Sequence, residues 1–128
     1  MKGVTKVLVT GVMALLPSVG WATDISCVFA HECLEAEECA ETTYELNVVT
    51  DVLPDEGKIA IGAATLSDET GERASIIVVE KEYVLIESQT DDARVALAVT
   101  PDGTSRYQVL YPAQPLSVVY LGTCDGVF

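Results

Sequence analysis

Turn-forming clusters punctuate the chain about every ten residues: Pro54-Asp55-Glu56-Gly57, Asp68-Glu69-Thr70-Gly71, Thr90-Asp91-Asp92, Pro101-Asp102-Gly103 and Pro112-Ala113-Gln114-Pro115. That spacing leaves room for strands between turns and little room for helices. Composition agrees, because Val, Ile and Thr supply 29 of the 106 residues from Thr23 onward. Such side chains suit a pleated, half-buried surface. Eight strands are expected, at approximately 24–30, 42–51, 57–66, 73–80, 82–89, 93–100, 104–111 and 115–123.

Period-two alternation marks several of them as half-buried. Tyr44, Leu46 and Val48 oppose Glu45 and Asn47, while Tyr107, Val109 and Tyr111 oppose Arg106 and Gln108. Leu116, Val118 and Tyr120 form a third stripe. Ala74–Val79 and Val95–Val99 are apolar on both faces, which places them centrally or under a cover. Short links make neighbours antiparallel. The fold expected is all-β: one small antiparallel barrel of about eight strands, with a β-sandwich as the alternative. Strands this short, carrying inward Val, Ile, Leu and Tyr, leave little free interior.

The first 22 residues read as an address. Lys2 and Lys6 precede an apolar run, Val7–Val19, and Gly20-Trp21-Ala22 puts small residues at a cleavage site. This is the three-part layout of a secretory signal peptide, in a compact bacterial form. The run is short for a membrane span of about 20 residues. The expected organisation is therefore a signal peptide at 1–22 and one β domain at 23–128, in the periplasm or outside the cell. The domain has no membrane span of its own. Removing the leader leaves five Lys and Arg against 20 acids, a net charge of −15.

All four cysteines, Cys27, Cys33, Cys39 and Cys124, lie in that domain. An even count in a small exported chain implies two disulfides. Of three pairings, Cys33–Cys39 with Cys27–Cys124 is preferred, because the second bond would tie the first strand to the last. In the chain-entropy model a loop of near 100 residues is worth about 4.7 kcal/mol and a seven-residue loop about 2.4 kcal/mol. The segment Glu32–Glu41 is rich in helix formers. A helix, however, separates residues six apart by roughly 9 Å, beyond disulfide reach. A disulfide-closed loop with at most one helical turn is expected. Zinc ligands usually come in Cys pairs two to four residues apart, and this spacing does not match. No metal or other cofactor is expected, and His31 reads as an exposed residue.

Few residues suggest reaction chemistry. The chain has one His, no Gly-x-Ser-x-Gly elbow, no Cys-x-x-Cys pair and no Gly-rich phosphate loop. With 20 acids, carboxylate pairs arise by chance. A pI near 4.1 argues against nucleic acid, whose phosphates need clustered Lys and Arg. The strongest surface signal is acidic. Glu32, Glu35, Glu37, Glu38, Glu41 and Glu45 fall within one short stretch that contains no Lys or Arg. Folded by the two cysteines, Glu32, Glu35, Glu37, Glu38 and Glu41 become candidate contacts for a cationic protein. The alternative is solubility alone.

Ile25-Ser26-Cys27-Val28-Phe29, Glu32-Cys33-Leu34-Glu35-Ala36 and Tyr120-Leu121-Gly122-Thr123-Cys124 resemble small four-cysteine exported bacterial proteins without an assigned activity. The layout is also loosely similar to that of the periplasmic inhibitors of C-type lysozyme, which are disulfide-bearing eight-stranded barrels of this size. Those inhibitors use a Ser- and Lys-bearing loop. Its nearest counterpart here, Gly71-Glu72-Arg73-Ala74-Ser75, has no Lys, and no functional residue is carried over. The sequence leads to a non-enzymatic exported binding module with the acidic Cys loop as its contact. The alternatives are an inhibitor of a basic hydrolase such as lysozyme, and a small-ligand carrier.

Overall fold

A computed structural model describes residues 23–52 and 59–125. The expected signal peptide at 1–22 and the turn at 54–57 lie outside them. Eight strands follow in order: β1 (Thr23–Leu34), β2 (Ala40–Thr50), β3 (Ala60–Asp68), β4 (Gly71–Val79), β5 (Val84–Gln89), β6 (Arg94–Val99), β7 (Thr104–Tyr111) and β8 (Leu116–Asp125). Each pairs antiparallel with the next, and β1 pairs with β8, so the sheet closes as an up-and-down barrel. The barrel expectation holds and the sandwich alternative falls.

Strand limits match the sequence reading within a few residues, apart from β1, which continues to Leu34. The helix-forming composition of Glu32–Leu34 is overridden because β8 offers these residues partners: Glu32 faces Tyr120, Cys33 faces Val119 and Leu34 faces Val118. Tertiary pairing outweighs propensities of a few tenths of a kcal/mol, on the order of ~0.5 kcal/mol per residue.

An eight-stranded barrel has an interior just wide enough for side chains to fill. Here Ile25, Leu46, Val48, Ile77, Ile86 and Leu97 fill its lower part and are buried. Outside, Ala74–Val79, one of the two segments expected to be central or under a cover, and its neighbour β3 are open. Ile61 and Ile76 are 71% and 59% exposed, and no described residue lies over them. In a closed ring every strand has two neighbours, so an apolar pattern on both faces does not indicate a central position.

The register of β1 shifts by one between Phe29 and His31 against both neighbours. Ala30 has no counterpart on β8, whereas Thr42 and Thr43 together oppose it on β2. This bulge inverts which residues face inward. Ile25, Cys27 and Phe29 point in below it, and Glu32, the partner of the inward Tyr120, points in above it. Gly122 sits opposite Phe29 at the shift. A Cβ there would strike the Val28 carbonyl oxygen and come within 2.5 Å of the Phe29 Cα.

Both disulfides form with the preferred pairing, Cys27–Cys124 and Cys33–Cys39. Cys27 and Cys124 are direct register partners across the β1–β8 seam. The expected loop between Cys33 and Cys39 is a turn in which the Glu37 amide donates to the Leu34 carbonyl at 2.9 Å.

Two outcomes follow. Gly122→Ala should lower stability by about 1–3 kcal/mol through overpacking at the seam, read as an earlier urea midpoint at unchanged slope. Replacing the Cys27–Cys124 pair by serines should cost about 2 kcal/mol more than replacing Cys33–Cys39. Equal losses in urea unfolding would contradict the closure role given to the long bridge.

Candidate functional site

The barrel has two unlike ends. The Cys33–Cys39 loop and the turns Asp68–Gly71, Thr90–Ala93 and Tyr111–Leu116 open at one end, here termed the mouth. The turns Glu80–Tyr83 and Thr100–Gly103 lie at the other.

Just inside the mouth stands a plate of four rings from four adjacent strands: Tyr44 on β2, Phe29 on β1, Tyr120 on β8 and Tyr107 on β7. Every pair is within reach, with centroids 4.7 Å apart for Tyr44–Tyr120 and 5.9–6.1 Å for the others. Phe29–Tyr44 and Tyr107–Tyr120 are direct register partners. Gly122 lets the β8 backbone lie close against β1 at Val28 and Phe29, where a Cβ would meet backbone atoms. Such pairs add about 0.5–1.5 kcal/mol each beyond the area they bury.

The phenol hydroxyls carry the polar chemistry of this layer. Tyr44 donates to the Asp68 carboxylate on β3. Tyr120 donates to Glu32 Oε2 at 2.8 Å. Arg73, on β4, reaches across the lumen and donates from Nη1 to the Tyr107 hydroxyl at 2.8 Å. A buried phenol needs a partner, and each of these three has one.

Burial pushes the Tyr44 hydroxyl far above its ordinary value, and the bond to Asp68 adds to the rise. Tyr120 is raised by burial and by its bond to Glu32. Tyr107 is also raised by burial, against the opposing charge and hydrogen bond of Arg73. Burial alone would raise Asp68, but hydrogen bonds from Thr70 and Tyr44 and the Arg73 charge outweigh it, and the carboxyl ends below its usual range.

The expected contact residues are spread over the rim in different roles. Glu37 and Glu38 are exposed in the disulfide loop, and Glu41 is exposed on the outer face of β2 beside His31, its register partner. Glu32 is half-buried and engaged by Tyr120. Glu35 is exposed yet tied down. Its φ is +51°, its amide donates to the Ser117 carbonyl at 3.2 Å, and its Oε1 accepts from the Ser117 amide at 3.0 Å. Glu35 thus clips the loop to the start of β8. Asp68, Glu69, Asp91 and Asp92 arrive at the same end on other turns. In sequence these acids lie in separate turn clusters, and only the closed ring brings them beside the Cys loop. Alternation puts Tyr44, Tyr107 and Tyr120 on three separate stripes, and only closure of the ring gathers them with Phe29 into one plate.

Across the barrel, Arg73 is an inward cation near the mouth, and Arg94 is exposed at the start of β6. Among the described residues no group of three or more His, Cys, Asp or Glu is placed to hold a metal ion, and no helix is long and apolar enough to cross a membrane.

Fold and mouth define an up-and-down antiparallel β-barrel with an aromatic floor and an anionic rim. Comparison with known proteins adds no relative, since no family model matches the chain and no curated protein or solved structure matches it significantly.

The three phenols make stability alkali-sensitive. Their folded values lie above the unfolded value of about 10, so the fold holds their protons more tightly. That stabilisation is complete below about pH 10 and is lost as pH rises toward the folded values. In an alkaline titration, tyrosinate absorbance from Tyr44, Tyr107 and Tyr120 should appear together with loss of the strand circular-dichroism signal. Full ionisation of all tyrosines with the strand signal intact would contradict the buried plate.

Proposed function

We propose that this protein is a non-enzymatic, exported binding module that captures a cationic protein at the mouth of its barrel. The observation that carries the reading is the gathering of acidic groups from the disulfide loop and from separate turns onto one rim. That rim stands above an interior already occupied by side chains. A small ligand would have to displace the ring plate, and the carrier alternative lacks that support. An anionic rim raises the encounter rate with a basic surface and disfavours acidic competitors. The two disulfides and the leader-like start of the sequence support export to the periplasm or beyond.

A basic hydrolase such as lysozyme is the narrower version of the same reading. It is favoured by the eight-stranded disulfide-bearing barrel, the layout expected from the inhibitor resemblance. Inhibition would come from the rim occluding the enzyme's cleft, with no catalytic step in this chain.

The test uses Glu37→Lys/Glu38→Lys/Glu41→Lys rather than a change at Glu35, whose carboxylate holds the loop. Binding to a panel of basic proteins that includes lysozyme is measured at low and physiological salt, with lysis followed in parallel. Association should slow by roughly tenfold or more with salt, and the triple variant should lose it at both. Binding that ignores both salt and charge reversal would sink the reading. Undiminished lysis at saturating protein would remove lysozyme alone.

A further inference from the structure

The ring of strands is closed, but one strand rises above its neighbour. β2 runs from Ala40 to Thr50, yet it is in register with β3 only from Asn47 to Thr50. The register pairs Val48 with Leu66 and Asn47 with Ser67, so a longer β3 would continue upward along β2. Instead the chain reverses at Asp68–Gly71 into β4. Asp68 fixes that reversal by accepting from the Thr70 amide at 2.9 Å and the Thr70 hydroxyl at 2.6 Å. The edge of Ala40–Leu46 that faces away from β1 is therefore paired with no described residue. On the other side of the same hairpin, Ser88 Oγ donates to the Ala74 carbonyl at 2.7 Å and holds β4 to β5 beyond their register. β2 has no such tie.

Two depressions mark the split. One, of about 530 Å³, lies on the outer wall between Val28, Glu45, Asn47, Ser67 and Glu69. The other, of about 370 Å³, lies between Thr43, Tyr44 and Glu45 on β2 and Asp68, Glu69 and Thr70 on the turn.

An unpaired edge is a template for another strand, and proteins commonly use one to hold an extended peptide. Two occupants compete: a second copy of this chain, or a segment of a partner. Charge decides between them. When Ala40–Leu46 pairs antiparallel with itself at full overlap, Glu41 falls opposite Glu45 on both sides of Thr43. Like charges directly opposite are destabilising. A segment with Lys or Arg at alternate positions faces the same carboxylates favourably. Its intervening side chains point toward the mouth, over Thr42 and the half-buried Tyr44.

We propose that the free edge of β2, Ala40–Leu46, is a strand-addition site for an extended partner segment in which basic and apolar residues alternate, lying where β3 would have continued. This deepens the reading of an acidic mouth and rests on it, because the partner remains a cationic protein. It adds that recognition includes backbone hydrogen bonds to one strand.

The probe is a blocked peptide of alternating Lys and Val, as long as Ala40–Leu46, labelled for fluorescence anisotropy at low ionic strength. A matched peptide carries N-methyl groups on alternate backbone amides, which keep the charge and remove the strand's donors. The proposal expects binding weakened by about tenfold or more on N-methylation. It also expects slowed amide exchange in 40–46 with the parent peptide. Glu41→Lys/Glu45→Lys, both at exposed positions, should lose the Lys peptide and accept one of alternating Glu and Val. Equal binding of the N-methylated peptide overturns the edge and leaves the acidic-mouth reading standing. Absence of binding by the parent peptide also overturns it, whereas the basic-protein panel tests the mouth independently. A concentration-dependent dimer in sedimentation that the peptide disrupts would assign the edge to a second copy, and would overturn the proposal as well.

Discussion

Closure of β1 onto β8 is the constraint on which everything else in the molecule depends. Before these strands pair, the chain is a meander with two raw edges and no inside. Pairing them defines a lumen, turns one face of every strand into core, and brings the first and last strands into contact across the whole sequence. The Cys27–Cys124 bond lies within that seam as a register pair. It fixes the ring at the step with the highest loop-closure cost.

Closure also produces the asymmetry of the interior. Aliphatic side chains fill the lower lumen, where strands from all sides contribute Val, Ile and Leu. Toward the mouth, β2, β1, β8 and β7 each present a ring at the same height. The polar ends of those rings then need partners, and Asp68, Glu32 and Arg73 supply them from β3, β1 and β4. The rim above is anionic because the turns there carry most of their charge as Asp and Glu. Floor and rim differ in kind: the hydroxyls of the floor have partners within the barrel, whereas Glu37, Glu38 and Glu69 on the rim are exposed.

Much of the fold was legible in the residues. Turn clusters placed the eight strands, alternation in Tyr44–Val48 and Arg106–Tyr111 assigned their faces, and the even cysteine count gave two disulfides, with the pairing that ties first strand to last as the preferred one of three. The bulge at Ala30 was not legible, since an alanine there carries no chemical mark. With it went the upper end of β1, whose Glu32–Leu34 resembles a helix start until β8 is beside it. The rim was legible only in the Cys loop, where the acids are contiguous. The contributions of Asp68, Glu69, Asp91 and Asp92 depend on which turns open at which end, and that is a property of the closed ring. Glu35 looked like its acidic neighbours in sequence, but a left-handed backbone and two bonds to Ser117 make it a clip.

The one-residue shift in β1 has a consequence for oxidative folding. Cys27 and Cys33 are both odd-numbered on one strand, and an unbroken pleat would put both sulfurs on the same side of the wall. With the shift between them, Cys27 faces the lumen, while Cys33, opposite Val119, faces out. Once β1 has docked, the sheet itself stands between the two sulfur pairs. Scrambled isomers joining Cys27 to Cys39, or Cys33 to Cys124, then require the wall to be taken apart. The backbone irregularity thus sorts the thiols by compartment.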